Sequence, residues 1–352
     1  MIWPLSGRFK RAFTQVLFYA WSSDRKLRDS VILSSALIIF LIYSLLQNIF
    51  LVLDYLIFPF FNKIEINKPV FIVGMPRSGT TLLHRTLAAD RKNFTTFTLW
   101  EILFAPSILQ KKMFISINKI DKLAGGKLKK VFLKISGHFL AVLGNSHKTQ
   151  VVDPEEDFML LIPIAASFML VNIFPVQIIK ELNCFDEMVP EKEKTAIMEH
   201  YKALIQRHMF VFGKGRRYLS KNASFCSYLP ELKKHFSDGG FILTIREPFR
   251  ALRSLQNIVR NGAITERSEP EIFGLSAAVI FASVSRIKEF TSLFKPAGVC
   301  RLYSMERIKN SLYDTVIDIY RFVNISMGDA FSEKLFLMDE NARKFKSRHK
   351  YN

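Results

Sequence analysis

The chain has 352 residues, with 50 Lys and Arg against 31 Asp and Glu, a formal net charge of +19 and a sequence pI near 9.8. That length suits one large domain plus an appendage, and the charge suits anionic nucleotides, lipid headgroups or sulfated glycans. Three cysteines, Cys184, Cys226 and Cys300, exclude a disulfide framework and lean towards a reducing compartment; with no zinc-ligand spacing, recognition-helix signature or RNP-type motif, nucleic acid is not an expected partner.

Residues 1–30 form a basic, aromatic leader in which Arg8, Lys10, Arg11, Arg25, Lys26 and Arg28 face only Asp24 and Asp29. Residues 31–61 contain no Lys or Arg and one acid, Asp54. This run is longer than a signal-peptide core, and no A-x-A site follows it. It is long enough to span a bilayer, which takes about 20 apolar residues. A hairpin bent at Gln47-Asn48, a helix lying on the membrane and a buried core helix are the other readings. Membrane association is the expectation, because the run is long and precedes the rest of the pattern. The basic leader argues for a cytoplasmic N-terminus. A single span would then carry the remainder across the membrane, whereas a hairpin or interfacial helix leaves it in the cytoplasm, the side favoured here. The sequence thus divides into residues 1–61, leader and apolar segment, and residues 62–352, which open on a short linker.

The stretch Lys68 to Asp90, KPVFIVGMPRSGTTLLHRTLAAD, reads as strand, tight loop and helix. Val70 to Val73 suits a buried strand, Gly74 to Gly79 a loop, and Thr80 to Ala89 a helix with Leu83 and Leu87 on one face. This geometry cradles phosphate: the loop turns N–H groups inward and the helix N-terminus adds partial positive charge. The frame nearly matches G-x-x-x-x-G-K-[ST], with Gly74, Gly79 and Thr81 in place. Thr80 stands where a kinase or ATPase has its lysine, and the cation comes earlier, at Arg77. The loop therefore suits phosphate on a ligand other than a triphosphate.

Downstream, Phe94 to Glu101 leads into residues 102–108. Residues 108–134 carry eight lysines against Asp121 and break at Gly125-Gly126, which predicts a solvated helical hairpin; a membrane- or substrate-facing lid is the alternative. Asp153-Pro154-Glu155-Glu156-Asp157 reads as a helix start, with Asp153 as cap, Pro154 at the first position and Glu156 closing a capping box. His147, upstream, is a weaker candidate for substrate contact. Phe158 to Ile179 is uncharged and long enough to cross a membrane, but Pro163, Asn172 and Pro175 interrupt it, and a crossing would separate the phosphate loop from later motifs. It is expected to be core. Helices are predicted over 191–208, 228–236, 249–260, 274–294 and 313–323, and strands over 217–220, 240–245 and 299–304. Residues 341–352 form a basic tail. Alternating strands and helices predict a parallel sheet covered on both faces.

Pro76-Arg77-Ser78-Gly79-Thr80-Thr81-Leu82 resembles the 5′-phosphosulfate loop of sulfotransferases that use 3′-phosphoadenosine-5′-phosphosulfate (PAPS), and its arginine variant is similar to the tyrosylprotein and bacterial-type branches. Arg246 at a strand end and Ser254 eight residues later resemble that family's 3′-phosphate motif; an arginine fork and a hydroxyl suit a terminal phosphate. The acidic run at 153–157 is similar to a landmark of the bacterial-type branch. The resemblance implies an α/β fold, a P-loop-like three-layer sandwich with a central parallel sheet, to which this sequence adds an N-terminal hydrophobic membrane-associating helix or hairpin. It implies a sulfotransferase moving a sulfuryl group from PAPS to a hydroxyl, with no metal. Arg77, Ser78, Gly79, Thr80 and Thr81 would hold the 5′-phosphosulfate, and Arg246 and Ser254 the 3′-phosphate. Glu101, after Trp100, would be the base, with its pKa raised by partial burial. Lys221, 25 residues before Arg246, would steady the transferring sulfate beside Arg77. The late Arg-Lys-Gly element of the cytosolic sulfotransferases is missing, and Lys346, Arg348 and His349 are the nearest substitutes. The acceptor is a hydroxyl-bearing molecule, for which the apolar segment favours a lipid or glycolipid over a glycan or protein tyrosine. A P-loop nucleotide kinase and a non-catalytic nucleotide-binding membrane protein are the alternatives.

Overall fold

The computed structural model describes residues 3–127, 130, 131, 134, 150–223 and 225–344; His147, Lys346, Arg348, His349 and most of the second arm expected over 127–134 lie outside them. Val70–Gly74 (β1) is the middle strand of a five-stranded, wholly parallel sheet. Its companions are Phe94–Thr95 (β2), Arg217–Asn222 (β3), Gly240–Ile245 (β4) and Cys300–Ser304 (β5), in the order β2-β3-β1-β4-β5. Every residue of β1 is buried, so it reads as a continuous apolar run rather than an alternating one. Phe71 and Val73 enter one core with Phe241 and Leu243. Val70 and Ile72 enter a second with Leu83, Tyr303, Ile319 and Leu335. Helices cover both faces, giving three layers.

The topology positions the site. From β1 the chain moves to β2 and β3 on one side; from β3 it passes back across β1 to β4 and β5 on the other. The strand order switches direction beside β1, and the carboxyl ends of the strands at such a switch point are the edge at which open parallel sheets bind ligands in a crevice. Four helices flank that edge or lead from it: Thr80–Ala88 (α3), Leu99–Phe104 (α4), Pro248–Gly262 (α8) and Glu269–Phe294 (α9). The remaining ones needed below are Trp3–Ala20 (α1), Leu27–Ile57 (α2), Ile108–Leu123 (α5), Glu191–Phe212 (α6), Leu229–His235 (α7), Met305–Asn310 (α10), Leu312–Phe322 (α11) and Asp329–Lys344 (α12). The uncharged run at 158–179 is core, as expected. It folds into 3-10 turns over Asp157–Ile164 and Phe168–Asn172, with Ala165 in a left-handed conformation between them.

The apolar segment is a single helix of 31 residues, not a hairpin. Gln47 and Asn48 do not break it, because Gln47 donates to the Leu103 carbonyl and accepts from Gln110, while Asn48 donates back to the Ser44 carbonyl. One side of α2, from Ser30 through Leu37 and Gln47 to Asp54, is buried against the α/β core, and the other side exposes Val31, Ile38, Ile42, Leu45, Ile49, Val52 and Leu56. Asp54 is fully buried. Its carboxylate accepts from the N–H groups of Ile108 and Leu109 at 2.8 and 3.0 Å, capping α5, and from Arg207 Nε at 2.9 Å. Arg8 on α1 is also fully buried. It donates to the carbonyls of Ala165 and Ile178 and pairs with Glu193 on α6. The boundary at residue 61 therefore marks a change of composition rather than of packing: Val16, Leu33, Leu37 and Leu51 share one core with Phe71 and Phe241.

Breaking a buried ion pair by removing one partner costs about 3–5 kcal/mol, because the other charge is left uncompensated. Asp54→Ala should lose about that much in denaturant unfolding, and Asp54→Asn, which keeps an acceptor for α5, should lose less. A loss under about 1 kcal/mol for Asp54→Ala would show that Arg207 finds another acceptor.

Candidate active site

The phosphate-type loop is shaped first by a close approach between strands. A Cβ on Gly74 would lie 1.9 Å from Thr244 Oγ1 and 3.0 Å from Ser78 Oγ, so only glycine fits. Met75 N–H donates to the Thr244 carbonyl. Ser78 is buried and its hydroxyl donates to the Met75 carbonyl, so the Thr244 hydroxyl is the donor in the 2.5 Å contact between the two side chains. The Ser78 N–H also turns back to the Met75 carbonyl. Ser78 therefore braces the loop from within and does not present its hydroxyl to the crevice. Arg77 and Gly79 both take positive φ, 68° and 89°. For a non-glycine residue such strain costs on the order of 1–3 kcal/mol and persists where the surroundings fix it. Thr80 and Thr81 open α3, the former buried and the latter exposed.

The two motifs separated by more than 160 residues meet here. Arg77 Nε donates to Ser254 Oγ at 2.9 Å, and Arg246 Nη1 donates to the Arg77 carbonyl at 3.3 Å. Arg246 follows the last residue of β4, and Glu247 caps α8 by accepting from the N–H groups of Phe249 and Arg250, which places Ser254 two turns in, facing the loop.

Lys221 is near the carboxyl end of β3, level with Ile72. It is buried and paired with Glu156. The acidic run at 153–157 thus differs from its sequence reading. It is an extended segment that hydrogen-bonds residues 97–100: Leu99 N–H to the Asp153 carbonyl, Trp100 N–H to that of Val151, and Glu155 N–H to that of Phe97. The helical turn begins only at Asp157. Arg85 on α3 reaches Asp153 and Glu155. Asp157 closes the segment onto β3 by accepting from the hydroxyls of Tyr201 and Tyr218, and burial raises its carboxyl to about 6 against those lowering hydrogen bonds. His84 Nε2 contacts Thr96 Oγ1 at 2.9 Å, and burial first, then Lys221 and Arg85, push its pKa well below the ordinary value.

Glu101 differs most from expectation. It is 3% exposed and closes a capping box on Thr98, accepting from its N–H and hydroxyl. Its other oxygen accepts from His208 Nδ1 at 2.9 Å, and His208 Nε2 meets Thr95 Oγ1 at 2.8 Å. Burial alone would raise its pKa; His208, Lys111 and Thr98 outweigh it, so the carboxyl is held below its usual range rather than above. Lys111, fully buried, donates to the carbonyls of Ala105 and Pro106, and burial pulls its pKa down to about 8 against the opposing fields of Glu101 and Asp54. His208 and Arg207 are neighbours on α6, so the Glu101 cluster and the Asp54 cluster are held by one helix.

A family model described as "Sulfotransferase family" matches residues 69–329. The chain belongs to the sulfotransferase family. The fold agrees with solved members. It is similar to sulfotransferase STF9 from Mycobacterium avium at a TM-score of 0.72 and 16% identity, over 95% of this chain and 82% of that one. It is likewise similar to sulfotransferase STF1 from Mycobacterium tuberculosis H37Rv at 0.66 and 16% identity, over 95% of this chain and 91% of that one. No curated protein matches the chain in sequence. This sulfotransferase brings Arg77, Arg246 and Ser254 together, joins Lys221 to Glu156, and joins Glu101 to His208. Glu156, His208 and Thr244 were not singled out for the site in the sequence, since their partners lie far away in the chain; Lys111, whose partners are near, was read only as one of the lysines of a solvated helix.

A carboxyl whose pKa is raised in the folded state binds its proton more tightly there than in the unfolded chain. Its contribution to stability is complete below the unfolded value of 3.8 and is lost as pH rises through about 6. Asp157→Asn removes that loss. In urea unfolding the variant should match the wild type at about pH 4 and be more stable at about pH 7.5, by on the order of 1–3 kcal/mol. Parallel curves at both pH values would show that Asp157 stays ionised throughout.

Proposed function

We propose that this sulfotransferase moves a sulfuryl group from PAPS to a hydroxyl of a membrane-resident acceptor, a lipid or glycolipid. The observation that carries the donor assignment is the contact of Arg77 with Ser254 and of Arg246 with the Arg77 carbonyl, which draws two anion-binding motifs to one strand edge. The donor set suits a bisphosphorylated nucleotide: guanidinium groups of Arg77 and Arg246, the Ser254 hydroxyl, the ammonium of Lys221, and the start of α3 with Gly79, Thr80 and Thr81. Ser78 would serve by keeping the loop in shape. Thr80, in place of the kinase lysine, argues against a triphosphate.

PAPS, when bound, supplies the sulfuryl group and a phosphate leaving group. The protein's own part is to hold charge and move one proton. Arg77 and Lys221 would offset charge on the transferring group and the leaving oxygen, and Glu101 would take the proton from the acceptor hydroxyl. Glu101 is kept ionised by His208, Lys111 and Thr98. Three of its roughly four lone-pair positions are occupied, which leaves one for the acceptor.

Membrane association rests on α2, whose exposed side is a continuous apolar stripe about 46 Å long. Because the opposite side is docked from Ser30 to Asp54, we read α2 as lying along the bilayer surface rather than crossing it alone. The catalytic crevice then stays on the side of the basic leader, the cytoplasm.

Thermal unfolding with adenosine 3′,5′-bisphosphate, AMP and ATP, with and without Mg²⁺, tests the donor. The bisphosphate should stabilise the protein most. Arg246→Ala should weaken its binding by about 1.5–3 kcal/mol while changing AMP little. A response to ATP that needs Mg²⁺, with none to the bisphosphate, would move the protein to the kinases. Glu101→Gln keeps the shape and removes the basicity, so turnover should fall by about 10²–10⁴ with nucleotide affinity unchanged. Normal turnover in that variant would shift the proton to His84.

A further inference from the structure

The helix that follows the one carrying Glu101 has an outer surface that the proposed reaction does not use. Buried Ile108, Lys111 and Asp121 turn α5 towards the body of the protein, where Asp54 caps its first turn and Gln110 bonds Gln47 of α2. The other side exposes Met113, Ile117 and Ile120, which fall within about 60° of one another round a helix of 3.6 residues per turn. Leu123, at the end of the helix, is 90% exposed. Lys112 and Lys119 lie beside this apolar stripe, and Lys122 and Lys127 stand near its end. All four lysines are exposed, and none is in an ion pair among the described residues. The one acid of residues 108–127, Asp121, is 3% exposed. An apolar stripe edged by lysines, with no exposed acid on the helix, is the pattern that settles at the boundary of an anionic bilayer. The apolar side chains enter between the headgroups, and the lysine stems reach out to the phosphates.

Charge and continuity identify the occupant. A second copy of the chain would bring the same lysines face to face, and like charges brought together oppose such a pairing. The surface of α5 also starts where that of α2 ends. Leu56 and Phe60 are exposed there, Asp54 holds the first turn of α5, and Lys112 Nζ lies 4.4 Å from the centre of the Phe58 ring. We propose that α5 is a second membrane-docking element, whose lysines and apolar stripe bind the surface of an anionic bilayer. The inference deepens the membrane reading above and rests on it for the side of the molecule that meets lipid; it is independent of the identity of the sulfuryl donor. One helix on a surface leaves a protein free to roll about that helix's axis, and a second contact off the axis removes the freedom. Only residues 105–107 separate α5 from α4, and Lys111 Nζ bonds the carbonyls of Ala105 and Pro106 across that turn. Docked α5 therefore fixes the orientation in which Glu101 meets a membrane-resident acceptor.

The test uses the full chain and vesicles of phosphatidylcholine with and without about 30% phosphatidylglycerol. Lys119→Gln with Lys122→Gln should weaken co-sedimentation with the anionic vesicles about tenfold or more, since two charges leave the contact. Lys334→Gln with Lys344→Gln on α12, whose Leu335 belongs to the core on the other face of the sheet, removes the same charge and should weaken it less than about threefold. Equal losses in the two pairs would reduce the effect to net charge and overturn the docking site. An environment-sensitive fluorophore then reports depth. It is attached through Ile120→Cys, through Leu45→Cys on α2 or through Leu337→Cys on α12, three exposed positions, in a Cys184→Ser background in which Cys226 and Cys300 are buried. With anionic vesicles the probe at position 120 should shift to the blue and be quenched by lipids spin-labelled in the acyl chain, and the probe at position 337 should do neither. A response at position 45 with none at position 120 leaves the membrane reading of α2 in place and overturns α5 as a second contact. No response at either overturns both. A probe at position 120 that responds to protein concentration and not to vesicles marks a face between copies of the chain and overturns the lipid partner. Binding of adenosine 3′,5′-bisphosphate should be unchanged in every variant, which shows that each is folded.

Discussion

Two central strands run so close at their carboxyl ends that residue 74 can carry no side chain. The Thr244 hydroxyl occupies the space a Cβ would take, and it also donates to Ser78, which in turn bonds the Met75 carbonyl. This contact fixes the path of the loop, and the path puts Arg77 in a left-handed conformation with its side chain on Ser254. The proposed anion-binding edge is therefore built from β4 as much as from β1. A short polar residue at 244 is as much a part of the loop as the glycines themselves.

A second constraint runs through α6. Its neighbouring residues Arg207 and His208 hold two carboxylates, Asp54 from the apolar helix and Glu101 from the helix after β2. Lys111 lies in the field of both. Charges this deep in low dielectric are tolerable only when each has its partner and its remaining hydrogen bonds are met. The cluster consequently ties the packing of α2 and α5 to the environment of Glu101. It is a structural coupling between the helix that faces outward and the carboxylate proposed to take the proton.

The parts legible in the sequence are those written in neighbouring residues. Gly74 to Thr81 announces its loop through spacing, β4 ends where FILTI meets Arg246-Glu247-Pro248, and α8 carries Ser254 at the offset that brings it to the loop. What stayed hidden depends on partners remote in the chain. Glu156 meets Lys221 across 65 residues, Glu101 meets His208 across 107, and Asp54 meets Arg207 across 153. No local period records such pairings, so the acidic run looked like a helix cap, and Glu101 looked like a half-buried carboxyl of raised pKa. The two-residue strand β2 was missed because it exists only by pairing with Arg217 and Tyr218. Asp54, the one acid in an apolar run, was a visible clue to docking; length and hydropathy outweighed it.

That single acid also changes how the protein can be handled. An appended anchor can be cut away, but α2 caps α5, covers Leu37 and Leu51 and neutralises Arg207, so truncation at residue 61 would open the core. Its outward side carries none of those duties. Recolouring Ile38, Ile42, Leu45, Ile49 and Val52 with glutamate, lysine and glutamine, all good helix formers, would keep the scaffold and discard the greasy surface. Given the proposed membrane placement of α2, a water-soluble form of this enzyme comes by repainting one side of a helix that has to stay.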